Sequence, residues 1–128
     1  MRNKPQQPHL YGPTLQEFPA RVQYKKYRHE GNIISCSQGN NCFDVEGRVA
    51  VVRNIVEVLS GAMYTVCQFY ERQGCFYNYP IDSSCVGSRT VTQLSDQLHG
   101  VPVTDLTKKL ILLPIQEGYV AFPQLHDM

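Results

Sequence analysis

The chain has 128 residues, of which 42% are hydrophobic and 18% charged, and its net charge is +1. That length suits one domain with a core large enough to need no disulfides. No run approaches the roughly 20 apolar residues of a membrane span, and the near-neutral charge argues against a dedicated nucleic-acid binder, which is usually strongly basic.

Residues 1–19 contain Pro5, Pro8, Pro13 and Pro19. Proline removes a backbone donor and disfavours helix, so this stretch reads as a flexible or extended lead-in. Leu10, Tyr11, Leu15 and Phe18 could still tack it onto the domain of residues 20–128. The start, MRNKPQQPHLYGP, lacks the apolar region of a signal peptide, and no Asn-x-Ser/Thr sequon follows. A nuclear or cytoplasmic protein, not a secreted one, is expected. The end after YVAFPQLHDM reads as the C-terminal domain of a longer protein.

Ala20 to His29 is the first strand of the domain, with Val22, Tyr24 and Lys26 on one face and Arg21, Gln23, Lys25 and Tyr27 on the other. It reads as an edge strand whose lysines discourage pairing. Asn32 to Cys36 is a short second strand, SQGNN a turn, Cys42 to Val45 a third strand, and Glu46-Gly47 a tight turn.

Arg48 to Leu59 is the clearest β segment. Its apolar set begins on Val49 and Val51, then switches to Val52, Val56 and Val58. A change of phase inside a strand predicts a bulge, here near Arg53-Asn54. Ser60-Gly61 turns into a central strand from Met63 to Arg72, apolar on both faces. Gln73-Gly74 reads as a further turn, Cys75 to Tyr79 as a strand, and residues 80–89 as a loop. Thr90 to Leu94 is a strand, followed by a turn in SDQLHG. Val101 and Val103 open another strand, with Thr104 as cap of a 3-10 or α turn. Leu110 to Leu113 is expected to be buried, Pro114 to break the strand, and Tyr119 to Phe122 to close the sheet. Many short strands with turn signals between them predict an all-β barrel or sandwich.

Five cysteines are present: Cys36, Cys42, Cys67, Cys75 and Cys85. The odd number and the absence of CxxC favour reduced thiols. A zinc site would have to draw on Cys36, Cys42, Cys85, His29, His99 and His126, whose spacing is irregular; no metal or cofactor is expected. A thiol nucleophile would need a base, and Cys75 or Cys85 with His99 or His126 lacks any local motif. No catalytic residue is assigned.

Two binding surfaces stand out. Tyr64, Tyr70, Phe76, Tyr77 and Tyr79 lie in an aromatic-dense stretch that could cage a methylated ammonium, with Glu71 or Asp82 as the acid. The alternative is that these rings fill the core. Residues 1–30 carry six basic and two acidic groups, and Arg21, Lys25, Lys26 and Arg28 interleave with tyrosines as in single-strand-binding surfaces.

Ile55 to Val58, Val66 to Arg72, Phe76, Val101 with Val103, and Lys109-Leu110 together resemble the bromo-adjacent homology (BAH) domain. Asn40 to Cys42, the YPIDSSCVG block at 79–87, VPVTDLTKKLILLP and YVAFPQLHD at 119–127 resemble C-terminal domains of proteins encoded by CACTA-type DNA transposons. The resemblances imply a small SH3-like barrel with loop insertions, in a chromatin-associated or transposon-derived protein. The expected function is non-catalytic recognition of a protein partner or histone tail. A nucleic-acid contact through the 21–28 strand and a structural or oligomerising role are the alternatives.

Overall fold

The computed structural model describes residues 4–10, 12–16, 19–29, 32–37, 39–75 and 89–123. It is all-β, with ten strands in one antiparallel sheet: β1 (Lys4–His9), β2 (Ala20–His29), β3 (Asn32–Ser35), β4 (Cys42–Val45), β5 (Arg48–Val58), β6 (Met63–Cys75), β7 (Arg89–Leu94), β8 (His99–Pro102), β9 (Lys108–Ile115) and β10 (Gly118–Pro123). Six of these pair in a circuit, β5-β4-β9-β10-β7-β6 and back to β5, which partly closes into a ring. The others extend it: β2 continues along β5, β1 and β3 flank β2, and β8 runs beside the first half of β6.

The register of β5 shifts between Val52 and Asn54, as the change of apolar phase predicts. Before the shift, one edge of β5 pairs with β4; after it, the same strand pairs with β2. Its two faces feed two cores. Cys42, Val51, Tyr70, Val91, Leu110 and Ala121, one from each strand of the ring, pack inside it. On the opposite face Ala50, Val52 and Ile55 pack with Tyr27, Ile34 and Phe69. An apolar strand without clean alternation is what a sheet covered on both sides demands.

Local chemistry sets the turns. Glu46 (φ +51°) and Gly47 (φ +83°) both lie in the left-handed region, as a two-residue hairpin turn of twist matching its strands requires. The Asp44 carboxylate accepts the Gly47 N–H at 3.0 Å and fixes that turn.

The structure corrects several expectations. Lys4–His9, expected as a flexible or extended lead-in, is extended and forms a strand of the sheet, with His9 opposite Gln23 and Lys4 opposite Arg28. Consequently β2 is paired on both edges rather than being an edge strand. Gln73-Gly74 is not a turn. Strand β6 runs through it because the Gln73 amide accepts the Val49 N–H (2.8 Å) and donates to the Gly47 carbonyl (3.1 Å), while Gly74 pairs with Thr90. Val103–Asp105 makes a single 3-10 turn without a side-chain cap, so Thr104 lies inside the turn it was expected to open. Pro114 does not end β9; it pairs opposite Tyr119, where β4 no longer flanks the strand. Of Leu110 to Leu113, only Leu110 is buried. Phe76, Tyr77, Tyr79, Asp82, Cys85 and His126, and the strand and loop expected over 76–88, lie outside the described residues.

The lead-in is held by Asn54, a fully buried amide at the bulge. Its Nδ2 donates to the Pro13 carbonyl (2.9 Å) and to Gln23 Oε1 (3.0 Å). Its Oδ1 accepts the Ile55 N–H (2.9 Å) and, with His9 as the Nε2–H tautomer, the His9 ring (3.0 Å). All four hydrogen-bonding positions of the amide are used. The chain passes so close that a Cβ at Gly12 would sit 2.4 Å from the Asn54 amide, and the Gly12 N–H donates to Gln23 Oε1. Replacing Asn54 by Ala leaves these wholly or partly buried partners unmatched, a cost of about 2–3 kcal/mol. Chemical denaturation should show that loss, and hydrogen exchange should show Lys4–His9 losing protection more than β6.

Candidate functional site

The two ends of the ring differ. At one end, where the chain leaves β6 at Cys75 and returns at Arg89, polar groups fill the opening. Arg89 donates to the Gly47 carbonyl at 2.6 Å and lies 3.6 Å from the Asp44 carboxylate, beside the Gln73 amide already bonded to Gly47 and Val49.

The other end is open. A pocket of about 820 Å³ enters there, lined by Val51, Tyr70, Leu110 and Leu112 on its apolar walls and by Asn41 and Arg53 at its rim. Three features of the sequence make it. β4 is only four residues long, so it stops at Cys42 while β5 and β9 run on past it. The bulge sends β5 away to β2. Gln93 (φ +60°) interrupts the alternation of β7, so that Val91 packs in the ring and Leu94 lines the pocket. Tyr70 meets Tyr119 edge to face, 6.4 Å between centroids, at the mouth.

The electrostatics of the mouth are one-sided. Among the described residues no carboxylate lines it, and the Arg53 guanidinium has a neutral partner, Gln68 Oε1 at 2.8 Å. Burial, then the neighbouring Cys42 and Tyr119, push the Tyr70 phenol up to about 12. Cys42 is likewise pushed up to about 12 by burial, which the positive charge of Arg89 only partly offsets. Burial also pushes Cys67 up to about 12, against the hydrogen bond with the Thr65 hydroxyl. Cys36 is raised by the same desolvation. These are free thiols kept in their unreactive form at neutral pH. Among the described residues, no three His, Cys, Asp or Glu side chains converge as a metal site would need.

The aromatic surface read from the sequence does not assemble as expected among its described members. Tyr64 and Tyr70 are six residues apart on β6, about 20 Å along a strand. Tyr64 lies half-buried between Val56 and Pro102, whereas Tyr70 sits in the ring. Phe69, between them, belongs to the other core, and its face is already taken by the guanidinium of Arg48, 4.1 Å from the ring centroid. The partner that sequence reasoning missed is Tyr119, brought to Tyr70 by β10 through pairing with β9 and β7.

The basic strand is also divided. Arg21 pairs with Glu57 at 2.9 Å. Lys25 is exposed, and Lys26 and Arg28 are half-buried. Strand alternation sets Lys25 against Lys26 and Arg28, and a register shift between Ala20 and Val22 interrupts the alternation at Arg21. Tyr24 and Tyr27, interleaved with them, pack into or against the core instead of facing solvent together.

The buried thiols and Tyr70 fix a pH response. Each folded-state value lies above its unfolded one, so the stability they contribute is complete below about pH 9 and is lost as pH rises towards 12. The melting temperature should therefore fall between pH 9 and pH 11. The fall should be shallower in Cys42→Ala and in Tyr70→Phe, and an equal fall in both variants would count against this origin.

No helix among the described residues is long and apolar enough to cross a membrane. No curated protein and no solved structure matches the chain. Residues 8–124, nearly its whole length, match a family described as Domain of unknown function (DUF8592), and the chain belongs to that family.

Proposed function

We propose that this domain is a non-catalytic recognition module that seats an apolar side chain of a protein partner in the open mouth of the ring. The observation that carries this reading is the pocket itself: apolar walls of Val51, Tyr70, Leu110 and Leu112, with a rim cation, Arg53, that no carboxylate among the described residues balances. A concave apolar site with a few polar groups at its rim is the usual form of a binding pocket. Arg53 adds a preference for a segment with an acidic residue beside the apolar one. The thiols near the pocket support a non-catalytic role, because burial keeps Cys42 protonated. The setting is a chromatin-associated or transposon-derived protein, in the nucleus or cytoplasm, as the resemblances in 66–72 and 119–127 imply.

A second reading keeps the histone tail. Tyr70 and Tyr119 already meet at the mouth, and two rings are the start of a cage for methyl-lysine. Arg53 on the rim and the lack of a lining acid among the described residues make it the weaker of the two. Nucleic-acid contact has less support still: Arg21 is paired with Glu57, and the four basic residues do not share a face.

The test is a titration followed by backbone amide shifts, using an acetylated Glu-Leu-Glu peptide and a trimethyl-lysine peptide as probes. The first should shift Val51, Arg53, Leu110 and Leu112, and Arg53→Glu should weaken it at least about tenfold, or about 1.4 kcal/mol. Shifts of the same residues by the second probe alone would favour the cage. If neither probe moves the mouth, the pocket is not the recognition site.

A further inference from the structure

The chain from Cys36 to Asn41, between β3 and β4, is tied to the sheet at three places, and each tie brings a cation with it. The Cys36 N–H donates to the Lys25 carbonyl of β2 at 3.1 Å, which continues the β2–β3 ladder by one step. The Asn41 carbonyl accepts the Val52 N–H of β5 at 2.7 Å, next to Arg53 at the bulge. The Asn40 side chain accepts Lys109 Nζ from β9, and the same ammonium donates to the Ile33 carbonyl at 3.0 Å. Lys25, Arg53 and Lys109 therefore come from three strands and gather around one loop.

Among the described residues, none of the three forms an ion pair. The side-chain partners of Arg53 and Lys109 are neutral amides and a carbonyl. Burial raises the Cys36 thiol, and the nearby charges of Arg53 and Lys25 pull it back. Lys109 is half-buried, and desolvation lowers the pKa of its ammonium. Like charges gathered without a counter-ion repel one another, and an anion relieves that repulsion. The approach is open: Gly39 (φ +96°) has nothing within 4 Å of the place a Cβ would take. Cys36, Gly39, Asn41 and Arg53 all line the pocket, so the cations stand at its mouth.

We infer that this loop is a phosphoryl-binding site, and that the partner segment seated in the pocket carries a phosphorylated residue beside its apolar one. The inference rests on the pocket reading above and names the acid it prefers. A carboxylate brings one charge and two oxygens. A phosphorylated side chain brings about −1.5 to −2 charges and three acceptor oxygens, which suits three cations approaching from three strands. The planar fork of Arg53 can hold two of those oxygens, and the lysines act as point charges. A nucleic-acid strand repeats its phosphates and needs a row of cations. Here the row does not continue: Arg21 is paired with Glu57, Arg89 stands by Asp44, and Arg48 lies over Phe69. One charged loop beside one apolar pocket fits a single phosphorylated protein segment.

The test is a titration of the whole chain with an acetylated phosphoserine-leucine peptide amide, followed by backbone amide shifts. The same peptide with serine or glutamate in place of phosphoserine gives the comparison. The phosphopeptide should shift Cys36, Gly39, Asn41 and Lys109 together with Leu110 and Leu112, and should bind at least about tenfold more tightly than the glutamate form. Its affinity should rise across about pH 6, where the phosphate loses its second proton, and that of the glutamate form should not. Lys25→Gln, at an exposed position, should weaken the phosphopeptide and leave the serine peptide and the melting temperature unchanged; Lys25→Arg should restore binding. Equal affinity for the phosphoserine and glutamate forms would overturn the inference and leave the pocket reading standing. Shifts of the loop without Leu110 and Leu112 would keep the phosphoryl site and sink the pocket reading. A short oligothymidylate that displaces the phosphopeptide at lower concentration than the peptide itself would overturn the inference in favour of nucleic acid.

Discussion

One extra residue in β5 divides this molecule. Arg53 has no partner across the β5–β6 ladder, and the strand on either side of it belongs to different surroundings. Arg48–Val51 forms part of the ring with β4, and Ile55–Val58 continues into β2. Without the bulge, β5 would hold one set of neighbours along its length, and neither the ring nor the flanking layer could share it. A bulge exposes backbone and side-chain groups that a regular ladder would pair, so something must satisfy them. Asn54 does this with a four-fold satisfied amide whose partners come from β2, from the chain before it and from its own next residue. The prolines of residues 4–13 thus serve a purpose: an extended, donor-poor chain passes the bulge and gives the Pro13 carbonyl and the His9 ring to one buried side chain.

The ring follows from the same division. Strands of unequal length close a circuit only where they overlap, and β4 overlaps β9 by two residues. On one side of that overlap, Asp44, Gly47, Gln73 and Arg89 knit the end shut with polar contacts. On the other side β5 and β9 diverge, and the space between them is the pocket. Its apolar walls and its open mouth are therefore one fact seen twice. The interior of the ring is lined like a core, and the wall simply stops before the core is covered.

Much of the architecture could be read from local pattern because it rests on local chemistry. The bulge showed in the shift from Val49 and Val51 to Val52, and the Glu46-Gly47 and Ser60-Gly61 turns showed in residues that tolerate unusual backbone. What escaped depended on partners distant in sequence. Gln73-Gly74 reads as a turn until the Gln73 amide finds Gly47 and Val49, 26 and 24 residues away. Lys4–His9 reads as a flexible or extended lead-in until β2 supplies its register. The aromatic surface was read from proximity along the chain, but a strand carries residues at Tyr64 and Tyr70 apart, and the ring Tyr70 meets comes from Tyr119 at the far end of the sequence. Arg21 looked like a free cation for the same reason, since Glu57 lies 36 residues away.

The strand β9 holds the remaining discrepancy. KKLILLPI is apolar without alternation, the pattern of a strand covered on both faces. Among the described residues only one face is fully covered: Leu110 is buried and Leu112 packs against the ring core, while Ile111, Leu113 and Ile115 stay about half exposed. Three branched side chains left half-exposed at alternate positions are hard to reconcile with a finished surface, because each would gain roughly 1 kcal/mol from burying the remainder. The polar outer positions of β7, where Thr90 and Thr92 stand, show how the same sheet treats a strand meant to stay exposed. The composition of β9 is thus explained on its inner face by the ring core, and its outer face keeps an apolar row that the rest of the described sheet does not cover.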